Sequence, residues 1–241
     1  MAKRGSAETV EQFAAALALA AGDNLVSLLL RGSAARGDYD AKRSDLNVVI
    51  ILTDASATAL RPLADAVAGW VKADQPPPVI FTEAGWHAST DVFPIELEDM
   101  REAHRLLHGT DPFAKVATTR EDLRRELERE ARGKLIQLRA EYVAVAAHGK
   151  WLGALLLRSA KTFFVLFRAL VRASGATPPQ DPRALVAVAA ELAGFDPTAF
   201  EWIVAKLAGE KRPDLAAYAP EGGRYLDAIE RFVLYVDSMM R

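Results

Sequence analysis

The sequence predicts two folded regions, a mixed α/β domain over residues 1–115 and an all-helical bundle over residues 116–241. Three observations carry this. Every β-branched or alternating strand-like run falls in the first region, and from Thr119 onward there is no strand signal at all. The charge also changes: the first region carries 11 Lys and Arg against 16 Asp and Glu, the second 19 against 16. At 241 residues either region is long enough to bury a core of its own.

The first element is an amphipathic helix over residues 7–20, with Val10, Phe13, Ala14, Leu17 and Ala20 on one face and Gly22 ending it. Asn24 to Arg31 reads as a strand. LNVVIIL, residues 46–52, is a near-continuous β-branched run, the pattern of a strand covered on both faces. Thr53 to Ser56 makes a turn and helix cap before a helix bearing Leu60, Leu63, Val67, Trp70 and Val71, which Gln75-Pro76-Pro77-Pro78 terminates. Val79 to Phe81 is a short strand and Glu83 to Ala88 a helical turn. Val92 to Leu97 reads as another strand, leading into a short helix from Met100 to Leu107 that Gly109 and Pro112 end.

The second region opens on Thr119 with Asp122, which resembles a capping box, and one long helix follows to Val145. Its charge-dense stretch, Glu121 to Arg132, reads as a solvated face with i,i+4 pairs such as Glu121 with Arg125. A largely apolar helix from Trp151 to Arg172 should form the bundle core, and three more follow over residues 182–193, 200–207 and 224–240. Leu226, Ile229, Phe232, Val233 and Val236 on the last could form a seam within the chain or with a second copy, so a homodimer stays open.

Composition excludes some chemistry. There is no cysteine, hence no disulfide, thiolate metal site or cysteine nucleophile, and this fits a reducing cytoplasm. A formal net charge of −2 gives no argument for nucleic acid or an acidic membrane surface as partner. No segment reads as a membrane span or a leader. His87, His104, His108 and His148 show no metal-ligand spacing, and tryptophans 70, 86, 151 and 202 read as core or seam residues.

The chemistry concentrates in GSAARGDYDAKRSDLN, residues 32–47. In a strand alternate side chains share a face, so Asp45 and Asn47 point one way, about 7 Å apart, while Leu46 and Val48 point into the core. Two oxygen donors so placed suit a hard divalent cation that keeps substrate phosphates in its shell. Gly32 lets a phosphate approach the backbone, Ser33 supplies a hydroxyl, and a helix starting there would offer free N–H groups. A third oxygen ligand is expected on a neighbouring strand. Glu96 is the best candidate, between Ile95 and Leu97, with Asp91 and Glu98 as rivals. Arg36, Lys42 and Arg43 either meet a triphosphate or simply face water.

Gly32-Ser33, a spacer, and Ser44-Asp45-Leu46-Asn47-Val48 resemble the signature of the nucleotidyltransferase superfamily, which includes DNA polymerase beta and the kanamycin and minimal nucleotidyltransferases. The order of elements over roughly residues 8–108 resembles it too, and so does the helical domain after it. The resemblance implies transfer of a nucleoside monophosphate from an NTP, ATP first, to an acceptor hydroxyl on a small molecule or protein, with pyrophosphate leaving and two Mg²⁺ ions assisting. It implies Asp45, Asn47 and Glu96 as metal ligands, Asp45 and Glu96 as catalytic, and Gly32, Ser33, Arg36 and Ser44 toward the nucleotide. One departure stands out: the second carboxylate of the signature is Asn47 here. An amide oxygen ligates without charge, so a single-metal enzyme and a nucleotide-binding module without chemistry both remain open.

In the helical region Arg158, Lys161, Arg168 and Arg172 form one stripe on an apolar helix. They either pair with acids of the bundle or, for Lys161 or Arg158, meet phosphates. Glu126, Glu130 and Glu141 are carboxylates that could serve as a base, with no geometry to choose between them. A ribonuclease reading of the helical region is discounted, because His148 has no Arg four to six residues before it.

Overall fold

The computed structural model describes residues 7–36 and 45–239. The chain forms two units, one up to Thr118 and one from Thr119.

In the first unit a four-stranded sheet has the order β3-β2-β1-β4, with β1 (Leu25–Arg31), β2 (Asn47–Leu52), β3 (Val79–Thr82) and β4 (His104–Gly109). β1 is antiparallel to both β2 and β4, while β2 and β3 run parallel. Alternation along β1 and β2 divides the apolar side chains between two cores. Leu28, Leu30, Val48, Ile50 and Leu52 meet Val10, Phe13 and Leu17 of α1 (Ala7–Ala21), together with Trp70. Leu29, Val49 and Ile51 take the opposite face, under Trp86, Leu97, Met100 and Phe113. This two-sided burial is why Leu46 to Leu52 lacks a polar alternation.

After β1 comes α2 (Ser33–Arg36), a single turn. Beyond β2 lie α3 (Ala57–Leu60), capped by the Ser56 hydroxyl, and α4 (Ala64–Lys72). α5 (Glu83–His87) and α6 (Pro94–Glu102) join β3 to β4.

Two expectations are overturned here. Residues 92–97 are not a strand: Pro94 stands at the start of α6, and Ile95, Leu97 and Met100 are its buried face. Proline fixes φ near the helical value and its missing N–H costs nothing in the first turn, so Pro94 starts a helix. The short helix expected through Leu107 ends at Glu102, and His104–Gly109 is an edge strand on β1. As an edge it is mostly exposed, so it shows no apolar run. Gly109 has φ +80°, and a Cβ there would lie 2.0 Å from the Val26 carbonyl oxygen.

The second unit is all helix: α7 (Arg120–Val145), α8 (Gly149–Ala173), α9 (Pro182–Ala193), α10 (Glu201–Leu207) and α11 (Pro220–Ser238). Thr119 caps α7 by accepting from the Asp122 N–H, and Asp181 caps α9 in the same manner. Phe163 of α8 meets Tyr225 and Phe232, and Phe167 meets Phe200 and Phe232, all edge-on with ring centroids 5.0–6.4 Å apart. Ile229, Phe232, Val233 and Val236 of α11 are buried within this unit, whereas Leu226 is half-buried and Leu234 exposed.

Candidate functional site

β1 delivers Arg31 and then Gly32 to one end of the sheet. Gly32 has φ +79°, and its carbonyl accepts from Ala35 N–H at 3.0 Å, closing a tight bend. A Cβ at Gly32 would meet no atom of the described residues within 4 Å, so it is the φ angle that calls for glycine. Ser44, Lys42 and Arg43 lie outside the described residues, and so do the side chains of Ser33 and Arg36. Because α2 has only four residues, the expected helix contributes a turn of backbone rather than a macrodipole.

The chain enters β2 under a specific clamp. Leu46 N–H donates to the Gln75 Oε1 at 2.9 Å, and Gln75 is itself buried, its Nε2 donating to the Ala73 carbonyl. With Leu46 3 % and Val48 2 % exposed, Asp45 and Asn47 project on the opposite side from that core. Asp45 is exposed and Asn47 half-buried; the Asn47 Nδ2 points to the Asp45 carbonyl at 3.4 Å, which leaves Oδ1 as the acceptor end of the amide.

Ladder register then fixes the neighbours. Asn47 on β2 opposes Arg31 on β1, which in turn opposes His104 on β4, a row across three strands on one face. His104 Nδ1 lies 3.1 and 3.0 Å from the Met100 and Arg101 carbonyls, which accept its proton. Arg31 carries the field of this row. Burial pulls its guanidinium below the usual arginine value, opposed by the nearby Asp99 and Glu96 carboxylates, and an arginine so placed stays charged. Its Nε is buried and hydrogen-bonds to nothing.

Glu96 therefore reaches this end of the sheet, but from the first turn of α6 rather than from a strand. It is exposed between buried Ile95 and Leu97, and lines a cleft of about 270 Å³ with Arg31, Val49, Val79, Phe81 and Phe93. The rivals fare differently. Glu98 accepts from the Thr118 hydroxyl at 2.6 Å and pairs with Arg101, holding α6 to the segment after β4, while Asp91 is an exposed turn residue. β3, the strand beside β2, reads Val-Ile-Phe-Thr and carries no carboxylate. Among the described residues no three His, Asp or Glu side chains gather closely enough to hold a metal ion.

In the helical unit Lys161 and Arg158 are exposed on α8, whereas Arg172 is buried. Arg158 pairs with Glu141 of α7, and hydrogen bonds from Gln137 and Arg158 hold the Glu141 carboxyl below its ordinary value. Glu130 pairs with Arg129 at 2.9 Å, and Glu126 is buried beside the same arginine. Tyr225 is driven up by burial, with Ser159 as hydrogen-bond partner at 3.0 Å. Trp70 and Trp86 are core residues, while Trp151 is 57 % exposed. Arg31 is the site residue that sequence reasoning passed over: as the last residue of a strand-like run it carries no motif, and only the register reveals what it faces.

This sheet, with its glycine bend and the helical unit after it, has the nucleotidyltransferase fold with a helical C-terminal region. Among solved structures the chain is similar to spectinomycin adenyltransferase AAD(9) from Enterococcus faecialis, crystallised with ATP and spectinomycin. The likeness covers 97 % of this chain and 100 % of that one, with a TM-score of 0.61 at 12 % identity, a likeness of fold. No protein-family model and no curated protein sequence matches the chain. Among the described residues no helix is long and apolar enough to cross a membrane.

Proposed function

We propose that this chain binds a nucleoside triphosphate, ATP first, at the Gly32 bend and transfers its nucleoside monophosphate to a hydroxyl of a small-molecule acceptor. The observation that carries this reading is the end-to-end likeness, over both units, to an adenyltransferase whose structure holds ATP and spectinomycin. Gly32, Asp45 and Asn47 at one end of the sheet, with Glu96 lining the adjoining cleft, support it.

In this reading the Ser33 hydroxyl receives the phosphates beside the Gly32 bend, whose own N–H is given to the Ala103 carbonyl, with Arg36 and Ser44 as further nucleotide contacts. The acceptor oxygen bonds to the α-phosphorus as the bond to the bridging oxygen breaks; pyrophosphate leaves, and the hydroxyl proton passes to the Glu96 carboxylate. The donors fit one divalent cation better than two: among the described residues Asp45 is the only carboxylate at the start of β2, Asn47 brings an uncharged oxygen, and Glu96 shares the field of Arg31. One Mg²⁺ held by Asp45, with Asn47 and Glu96 completing its shell, would neutralise and orient the triphosphate.

A second reading, a nucleotide-binding module without chemistry, is favoured by Asn47 and by the absence of a carboxylate on β3. Pyrophosphate release from ATP in the presence of a panel of hydroxyl-bearing acceptors, spectinomycin included, separates the two. Transfer predicts acceptor-dependent release that Asp45→Asn abolishes. ATP binding without release by the wild type, with release gained by Asn47→Asp, supports the silent module and overturns transfer.

A further inference from the structure

We propose that Arg31 is a phosphate-binding residue, its guanidinium supplying at the triphosphate the positive charge that a second divalent cation would otherwise bring. This rests on the nucleotide reading above and deepens it. Arg31 and Asn47 are direct partners across the β1/β2 ladder and share the face that holds the cleft. Had residue 47 kept a carboxylate, the guanidinium opposite would have paired with it and competed with a metal ion for its oxygens. With an amide at 47 that competition is gone, and the cation of this row is covalently attached to the protein.

The surroundings of Arg31 suit the role. Asp99 and Glu96 hold it by their fields, yet its Nε is buried without a hydrogen-bond partner, so the described residues leave the fork incompletely satisfied. A phosphate is the ligand whose oxygens match that planar set of donors. Arg31 is also the residue immediately before Gly32, where no atom of the described residues would meet a Cβ within 4 Å, so an anion at the bend comes within reach of the same side chain. His104, the other basic side chain of the row, has its Nδ1 on the Met100 and Arg101 carbonyls and its Nε2 3.7 Å from the Asp111 carboxylate, so its nitrogens are turned to protein partners.

The test counts metal ions and measures nucleotide affinity. The intact chain is titrated with ATP in EDTA and in Mg²⁺, and with Mn²⁺ in the presence of a non-hydrolysable ATP analogue, for wild type, Arg31→Met and Arg31→Lys; thermal unfolding confirms that each variant is folded. The proposal expects one Mn²⁺ per nucleotide complex, ATP binding by the wild type that survives EDTA in weakened form, a loss of tenfold or more in Arg31→Met, and substantial recovery in Arg31→Lys. Two Mn²⁺ per complex, or folded Arg31→Met binding ATP as tightly as wild type, overturns this proposal and leaves the nucleotide reading standing. Absence of ATP binding by the wild type in every condition overturns both.

Discussion

Arg31 and Asn47 face each other directly across the β1/β2 ladder, a cation opposite an amide at the end of the sheet where the signature of the fold leads one to look for a carboxylate. Asn47→Asp would place an acid beside the guanidinium, and cross-strand pairs of opposite charge are worth about 0.2–1 kcal/mol. In the wild-type background Asn47→Asp is therefore expected to raise stability by an amount of that order; in an Arg31→Met background it is expected to give no such gain. Urea unfolding of the four proteins in a double-mutant cycle measures the coupling.

The Gln75 side chain holds the entry to β2 from below. Gln75→Leu keeps much of the volume but leaves the buried Leu46 N–H without its acceptor, and such an orphaned donor costs about 1–3 kcal/mol. A matching fall in the free energy of unfolding is expected, along with faster amide hydrogen exchange at Leu46. An unchanged urea midpoint would show that water replaces the amide oxygen at no cost.

Gly109 is tested by alanine. A residue with φ +80° pays roughly 1–3 kcal/mol once it carries a Cβ, and here that atom would sit 2.0 Å from the Val26 carbonyl oxygen. Gly109→Ala is expected to destabilise the sheet by at least that much, with the largest gain in hydrogen exchange along β4. Equal exchange in β4 before and after would contradict the close approach.

The Glu141 carboxyl, held below its ordinary value of 4.5 by hydrogen bonds from Gln137 and Arg158, gives a pH prediction. A carboxyl depressed in the folded state contributes stability that is present above its unfolded pKa and lost as pH falls through its folded one. The window therefore lies below pH 4.5, and the contribution is small because the pair is largely solvated. An NMR titration should find Glu141 below the ordinary glutamate value in wild type and shifted upward in Arg158→Met.

Much of the framework could be read from residues alone, for identifiable reasons. β1 and β2 are covered on both faces, and such strands announce themselves as apolar runs; α7 shows a cap, a periodic face and i,i+4 pairs. What escaped reading was decided by partners distant in sequence. β4 is an edge strand whose mixture of His, Arg and Leu makes sense only once β1 lies beside it, and at Val92 to Leu97 the apolar alternation outweighed the helix-starting signal of Pro94. The pairing of Asp45 with Asn47 follows from a period of two, since Leu46 and Val48 are both buried. Arg31 was invisible because its meaning lies in a register, which no local pattern encodes. For the same reason Glu96 could be singled out as an acid between two buried neighbours while the kind of element carrying it was misjudged.

The account turns on where a triphosphate sits, and a crystal grown with a non-hydrolysable ATP analogue and Mn²⁺ tests that most directly. The expected map has the triphosphate against the Gly32 bend, one Mn²⁺ on the Asp45 carboxylate and the Arg31 guanidinium on a phosphate oxygen. A nucleotide bound away from Gly32 and Asp45, or a crystal that excludes it at saturating concentration, would contradict the account.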